Sequence, residues 1–182
     1  MKYSNTIASG PDDLMSEGMN EQDIIWYRYP SDEELEWAKI QIVYLGYFWK
    51  DFTKLDNAAF SISHGLEIRD DIPDNTGSLY PFEALDEDFV FENQMMKHIK
   101  FGFGKVTDEV CEEIRFGRMT REEAAVLVKK YDGKCSAEYI ERFCHYIGIT
   151  LEEFWQVAER LRNKDIWEKD AKGEWKLKVA LE

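Results

Sequence analysis

Helix start and stop signals alternate along the chain from about Pro81 onward, and they constrain the fold more than any other feature. Thr120 with Glu123, for example, has the spacing of a capping box, in which two side chains bond free backbone N–H groups at a helix start. Glycine just past a helix end adopts positive φ without steric cost. The pattern predicts five helices of about ten to twenty residues that form a bundle, followed by a small hairpin around 170–173. The signals that bound the helices are Thr107, Gly117, Thr120, Gly133, Ser136, Gly148 and Thr150.

The chain before residue 80 has a different pattern. Residues 1 to about 30 are polar and irregular, and Ser31 with Glu34 predicts a short capped helix. The run Ile42–Trp49 is apolar, β-branched and aromatic, which predicts a buried strand. The amphipathic stretch 55–64 predicts another helix, and the Asp-rich segment that follows it up to Gly77 is interpreted as a linker.

Composition limits the classes of function. The hydrophobic share of 44% is sufficient for a core, whereas the net charge of −14 argues against binding to nucleic acid or to an anionic membrane. The sequence has no apolar run of about 18 residues and no signal peptide, so we expect a cytoplasmic protein. Cys111, Cys135 and Cys144 form no CxxC pair, and we expect reduced thiols and no metal site.

One stretch of this acidic chain is basic. Lys97–Arg121 carries six Lys and Arg residues against four Asp and Glu residues. Its segment Lys100–Lys105 contains two glycines and leads into Thr107, a good helix N-cap. Free N–H groups at a helix start and flanking ammonium groups attract phosphates and carboxylates, and a cluster of guanidinium groups binds pyrophosphate bidentately. The stretch therefore predicts an anion site.

Other interpretations of the same stretch stay open. Its glycines also suit a solvated turn, in which ion pairs of the arginines contribute only about 0 to 1 kcal/mol. The turn 116–120 resembles that of a helix-turn-helix DNA binder, but acidic residues of the following helices, such as Glu122, would repel phosphates. We interpret Phe101 and Phe103 as core residues rather than a stacking platform. We interpret Asp108 as the first residue of a helix, where its charge stabilises the helix dipole.

The basic stretch also carries a family resemblance. Residues 100–133 read KFGFGKVTDEVCEEIRFGRMTREEAAVLVKKYDG, which resembles the C-terminal region of the bacterial N-acetyl sugar amidotransferases. These are PP-loop ATP-pyrophosphatase enzymes of surface-polysaccharide (lipopolysaccharide) and sialic-acid-like sugar biosynthesis. Further similar segments extend the resemblance over nearly the whole chain, namely 29–35, 44–47, 151–155 and 165–169.

The resemblance implies an ATP-dependent conversion of an acetamido group on a sugar, or on a nucleotide sugar, to an acetamidino group. It also implies a glutaminase partner that supplies ammonia, and ATP with Mg²⁺ for the complete enzyme. The family's SGGxDS-type phosphate loop is absent from this sequence, in which Ser9-Gly10-Pro11 is the most similar segment. The cysteine pairs that the family carries near its N-terminus are absent too. Where the family tends to have His-Asp-Tyr, this chain has Asn93-Gln94-Met95. We therefore expect the C-terminal half only, as a split subunit, a truncated relative or a fragment. This half would be inactive alone and without a cofactor of its own.

The predicted fold is mainly α, a helical bundle with a small α/β N-terminal remnant of a nucleotide-binding domain. Residues 1–79 would be that remnant with its linker, and residues 80–182 the C-terminal helical domain. Expected partners are the glutaminase or the missing half, a sugar nucleotide, and further copies in an oligomer. The alternative function is an inactive docking module for a glutaminase or a full-length synthase. The candidate substrate-binding residues are Lys100, Gly102, Gly104, Lys105, Thr107, Arg115, Arg118 and Arg121.

Overall fold

The structure is a computed structural model, and it describes residues 15, 18–28, 30–39, 41, 43–49 and 53–179. The chain divides into two compact units, 1–53 and 54–182. The predicted domain boundary between residues 79 and 80 stays a prediction. Residues 54–79 lie in the same compact unit as residues 80–182.

The first unit contains three short helical segments in its described part. They are a 3-10 helix at Ile25–Tyr27, α1 at Asp32–Ala38 and α2 at Leu45–Phe48. The predicted capping box of α1 is confirmed: the Glu34 N–H donates to Ser31 Oγ at 3.1 Å, and the Ser31 N–H donates to the Glu34 carboxylate at 2.7 Å.

The predicted strand at Ile42–Trp49 was wrong for the residues that the structure describes, and Ile42 lies outside them. Leu45–Phe48 forms a helical turn, in which the Trp49 N–H donates to the Leu45 carbonyl at 3.0 Å. A buried strand needs neighbouring strands for its backbone groups, and the described part of this unit contains no other strand. In Leu45–Phe48, hydrogen bonds within the helical turn replace the bonds that neighbouring strands would make. The mainly α class is confirmed, because helices make up most of the described chain.

The second unit contains seven helices and a hairpin in its described part. The helices are α3 (Lys54–Ser63), α4 (Pro73–Thr76), α5 (Val90–Phe101), α6 (Lys105–Arg115), α7 (Arg121–Tyr131), α8 (Ala137–Ile147) and α9 (Leu151–Leu161). Strands β1 (Trp167–Lys169) and β2 (Trp175–Leu177) pair antiparallel, with Trp167 opposite Leu177. The five predicted helices of the bundle are α5 to α9, so their number and order are confirmed, and so is the hairpin.

Two hydrophobic clusters hold this unit together. One joins α5, α8 and α9 through Met95, Ile99, Ile140, Cys144, Phe154 and Ala158. The other joins α6 and α7 through Val106, Val110 and Ala124. Val106 and Ala158 are fully buried, which means that these two positions accept no larger side chain without displacement of their neighbours.

The segment before α5 is not a free linker, as the sequence suggested. The Arg69 guanidinium donates to Asp88 at 2.8 Å and to the backbone carbonyls of Ala84 and Glu87. Tyr139 of α8 donates its hydroxyl proton to Asp71 at 2.9 Å. Asp71 of the Asp-rich segment that indicates a linker thus accepts from Tyr139 and also pairs with the partly buried Arg69 at 3.6 Å.

None of the helices in the described ranges is long and apolar enough to cross a membrane.

Candidate functional site

The predicted anion site begins at the N-terminal end of α6, where the chain supplies an anion of its own. Gly104 is the N-cap of this helix, so the prediction of Thr107 as N-cap was wrong. The Asp132 carboxylate accepts from the Gly104 N–H at 2.8 Å, the Thr107 hydroxyl at 2.7 Å and the Thr107 N–H at 3.3 Å. Thr107 lies in the first turn of the helix because Asp132, from the end of α7, caps the helix in its place.

Asp132 is held as a buried carboxylate. Its side chain is 1% exposed, and burial alone would raise its pKa. The pKa is nevertheless lowered, because the nearby His98 ring and the bonds from Thr107 and Gly104 together outweigh burial. His98 Nδ1 lies 3.5 Å from the Asp132 carboxylate, and its ring makes an edge contact with Trp167 at 5.1 Å between centroids. The helix cap is thus continuous with the packing of the hairpin.

Lys105, the first residue of α6, also has an internal partner. Its ammonium group lies 3.1 Å from the Glu83 carboxylate, which Lys54 contacts at 2.6 Å on its other oxygen. Burial would raise the pKa of Glu83, but the bonds and charges of the two lysines lower it. The two lysines share this one carboxylate.

Buried carboxylates continue along the same face of α6, one turn apart. Glu109 is 1% exposed and accepts from the Ser78 hydroxyl at 2.6 Å and the Leu79 N–H at 2.7 Å. Its pKa is raised, because burial outweighs these two bonds. Because helical residues four apart are neighbours, this face of α6 carries Lys105, Glu109 and Glu113.

Arg118 meets this face at the C-terminal end of α6. Its guanidinium binds Glu113 bidentately, at 2.7 and 2.8 Å, and this bond is the main reason why the pKa of Glu113 is lowered. Tyr80 donates its hydroxyl proton to the same carboxylate at 2.8 Å. Burial and this bond raise the pKa of Tyr80, so its phenol stays protonated.

Three predicted basic residues have no ion pair within the described part of the chain, namely Lys100, Arg115 and Arg121. Lys100 lies near the start of α6 and Arg115 at its end, and a helix of 11 residues is about 16 Å long. Arg121 lines a shallow groove of about 100 Å³ between α6 and α7. The structure therefore separates the eight predicted residues into two groups, at the two ends of α6.

Gly102 and Gly104 have structural reasons for being glycine. A Cβ on Gly102 would lie 3.0 Å from Leu177 of the hairpin, and one on Gly104 would lie 2.8 Å from the Asp132 carboxylate. Whether they also approach a ligand stays a prediction.

Other expectations about this stretch need correction. Phe101 and Phe103 are 57% and 40% exposed, so the interpretation as core residues was wrong: both lie beyond the apolar face that α5 turns to α8 and α9. Asp108 is the fourth residue of α6, not the first, and pairs with Lys97 at 2.5 Å.

Sequence reasoning missed Asp132, Glu83 and Tyr80, because each reaches α6 from another element. The only local signal was the position of Asp132 next to Gly133, which indicated a turn.

Cysteine and metal chemistry receive no support as the basis of a site. Cys111 is exposed, whereas Cys135 is partly buried and burial raises its pKa to about 12. In the described ranges no three His, Cys, Asp or Glu side chains are placed to hold a metal ion.

Comparison with known proteins identifies the family. Residues 83–181 match the family described as "LPS biosynthesis protein WbpG-like, C-terminal domain". No curated protein matches the chain. The matched range contains α5 to α9 and the hairpin, and with them all eight predicted site residues. The chain therefore belongs to the WbpG-like family of LPS biosynthesis proteins, and residues 83–181 are its C-terminal domain.

Proposed function

We propose that this chain is the C-terminal part of an ATP-dependent N-acetyl sugar amidotransferase that acts in LPS biosynthesis in the cytoplasm. It would help to convert an acetamido group of a sugar nucleotide to an acetamidino group, with ammonia from a glutaminase partner. The observation that carries the proposal is the family match over residues 83–181, which agrees with the resemblance of residues 100–133.

We assign ATP and Mg²⁺ to the other half of the enzyme. The start of α6 does not fit a triphosphate, because the N–H groups of Gly104 and Thr107 there already bind Asp132. A carboxylate that is buried and bonded there would have to leave before a phosphate could enter. The role proposed for this chain is to bind and orient the sugar nucleotide.

The charges suited to this role are those without an internal partner. Lys105 and Arg118 hold Glu83 and Glu113, so a ligand phosphate would compete with a carboxylate for each of them. Lys100 at one end of α6, and Arg115 with Arg121 at the other, can meet a phosphate without breaking an ion pair of the described structure. Because about 16 Å separates the two ends, one pyrophosphate is expected to use one end only.

Calorimetric titration of UDP-N-acetylglucosamine tests this proposal. Wild type is compared with Lys100→Glu and with the double variant Arg115→Glu/Arg121→Glu. The matched control is Lys129→Glu/Lys130→Glu, which makes the same change of charge at exposed positions of α7. We expect binding to wild type and the control, and a loss of about tenfold or more in one of the other two. Equal affinity in all four proteins would contradict a phosphate site at these residues.

A second candidate function is docking to a partner protein, and exposed aromatic side chains in the first unit favour it. Trp26 is 91% exposed and Trp37 is 87% exposed. Aromatic side chains with such large exposed fractions are typical of interaction surfaces. Sedimentation of Trp26→Ser/Trp37→Ser with the purified synthase partner tests this function. Loss of a complex that wild type forms would support docking, and an unchanged complex would contradict docking through these residues.

A further inference from the structure

Phe101 and Phe103 form an exposed aromatic pair that packing of the bundle does not explain. Their ring centroids are 6.4 Å apart with planes tilted by 40°. Neither ring belongs to the two hydrophobic clusters of this unit. Single exposed apolar residues are common on protein surfaces, but adjacent ones mark binding sites more often.

The turn that carries the two rings is fixed at both of its glycines. Gly102 has φ of 80° and donates its N–H to the His98 carbonyl at 2.8 Å, and a Cβ there would lie 3.0 Å from Leu177 of the hairpin. Gly104 donates its N–H to the buried Asp132 carboxylate at 2.8 Å. The backbone of the turn therefore has one arrangement, which lowers the entropy cost of ligand binding.

An ammonium group lies over one face of each ring, so a base would stack on the other face. Lys97 Nζ is 4.5 Å from the Phe103 centroid, and Lys100 Nζ is 5.2 Å from the Phe101 centroid. Lys97 is also paired with Asp108, so its charge is largely compensated. Lys100 has no carboxylate partner among the residues that the structure describes, and its charge is available for a ligand.

We propose that Phe101 and Phe103 are a stacking platform for the base of a nucleotide, and that Lys100 contacts its phosphates. Exposed aromatic rings with a cation near them match a ligand that joins a planar base to an anion. A neutral pyranose would use the rings but not the charge of Lys100. The inference rests on the proposed function in one respect, because the substrate there is a sugar nucleotide.

Calorimetric titration of UDP, CDP, GDP, uridine and inorganic pyrophosphate into the full chain tests the platform. We expect the diphosphates of nucleosides to bind more tightly than either uridine or pyrophosphate. Phe101→Ala/Phe103→Ala is expected to weaken UDP binding about tenfold or more, and Lys100→Gln to weaken UDP but not uridine. The matched control is Phe116→Ala, because Phe116 is also exposed and has a cation, Arg118, 4.9 Å from its ring centroid.

Any of four results would overturn the platform. The first three are equal UDP affinity in wild type and Phe101→Ala/Phe103→Ala, no binding of any nucleotide to wild type at millimolar concentration, and an equal loss caused by Phe116→Ala. A fourth is that the same substitutions abolish binding to phosphatidylglycerol vesicles and leave nucleotide binding unchanged, which would assign the rings to a lipid surface.

The platform and the proposed function fail separately. An active amidotransferase whose KM for the sugar nucleotide is unchanged by Phe101→Ala/Phe103→Ala would refute the platform alone. A chain that binds UDP through these rings but supports no amidotransfer would refute the proposed function alone.

Discussion

At the scale of single residues, the chain supplies the anions for its own basic stretch. Asp132 accepts from the start of α6, Glu83 pairs with Lys105, and Glu113 binds Arg118 bidentately. A helix N-terminus attracts a carboxylate for the same reason that it attracts a phosphate, namely the unpaired N–H groups and the helix dipole. The start of α6 has the sequence pattern that predicts an anion site, but the anion bound there is Asp132 of the same chain.

We predict that Asp132→Ala destabilises the protein by about 2–4 kcal/mol, because the loss leaves the buried donors of Gly104 and Thr107 unpaired. The matched control is Asp108→Ala, which removes a half-exposed carboxylate of one ion pair and is expected to cost at most about 1 kcal/mol. Urea unfolding at neutral pH measures both. Equal effects of the two substitutions would contradict the cap.

The contribution of Asp132 also has a defined pH dependence. Because its folded pKa lies below its ordinary value of 3.8, the stabilisation is complete above that pH and is lost as pH falls through the folded pKa. The difference between wild type and Asp132→Ala should therefore shrink only below about pH 3.8.

Glu92 gives the opposite prediction. It is 2% exposed, neither carboxylate oxygen has a hydrogen-bond partner, and burial raises its pKa. We expect Glu92→Met to stabilise the protein by about 1–3 kcal/mol at neutral pH, because it removes an unpaired buried polar group. The matched control, Glu109→Met, should destabilise, since it leaves the donors of Ser78 and Leu79 unpaired.

The pH profile of Glu92→Met provides a second check. At a pH between 4.5 and the raised pKa, the carboxyl is protonated in the folded state and ionised in the unfolded state. The penalty for burial therefore falls as pH falls, and the gain from Glu92→Met should decrease towards pH 4.5. A gain that is constant with pH would show that the Glu92 charge is not the cause.

At the scale of elements, the sequence predicted what local bonding decides. The capping boxes at Ser31, Thr120 and Thr150 are all present, because each requires only residues three positions apart. The strand at Ile42–Trp49 and the N-cap at Thr107 were wrong for the opposite reason. A strand depends on partners from elsewhere in the chain, and the start of α6 is decided by Asp132, 25 residues beyond Thr107.

Two glycines at helix ends separate backbone strain from packing. Gly133 and Gly148 both have φ of 75°, but a Cβ on Gly133 would lie 2.3 Å from the His98 ring, whereas one on Gly148 meets nothing within 4 Å. We predict that Gly148→Ala costs about 1–2 kcal/mol from positive φ alone. Gly133→Ala should cost clearly more, because it also displaces His98. Thermal unfolding compares the two, and equal melting temperatures would contradict the close contact at Gly133.

At the scale of the whole molecule, the bundle could be predicted from the sequence but the composition of its sites could not. Helix number, order and the hairpin follow from patterns within a few residues of each other. The division of the eight predicted residues between the two ends of α6 does not follow from such patterns. This division depends on the length of α6 and on the side chains that reach α6 from α7 and from the segment before α5. A positive local charge in the sequence cannot show that acids 22 and 28 residues away, Glu83 and Asp132, bind this stretch.

The same reasoning bears on function. Family membership rests on residues 83–181, and the proposed role as a sugar-nucleotide-binding half rests on the basic residues that no carboxylate in the described structure neutralises. We propose that the half of the enzyme with the SGGxDS-type loop activates the amide with ATP. We therefore expect the two halves to act together and each half to be inactive without the other.

Reconstitution tests this central claim most directly. The purified chain is mixed with a protein that carries the SGGxDS-type loop, together with ATP, Mg²⁺, an ammonium salt and UDP-N-acetyl sugars. Mass spectrometry then follows replacement of the amide oxygen by an NH group, and AMP formation is measured in parallel. We predict that product and AMP form only when both chains are present, and that Lys100→Glu lowers the rate. An equal rate without this chain would contradict the account, as would the absence of product from any N-acetyl sugar nucleotide with both chains present.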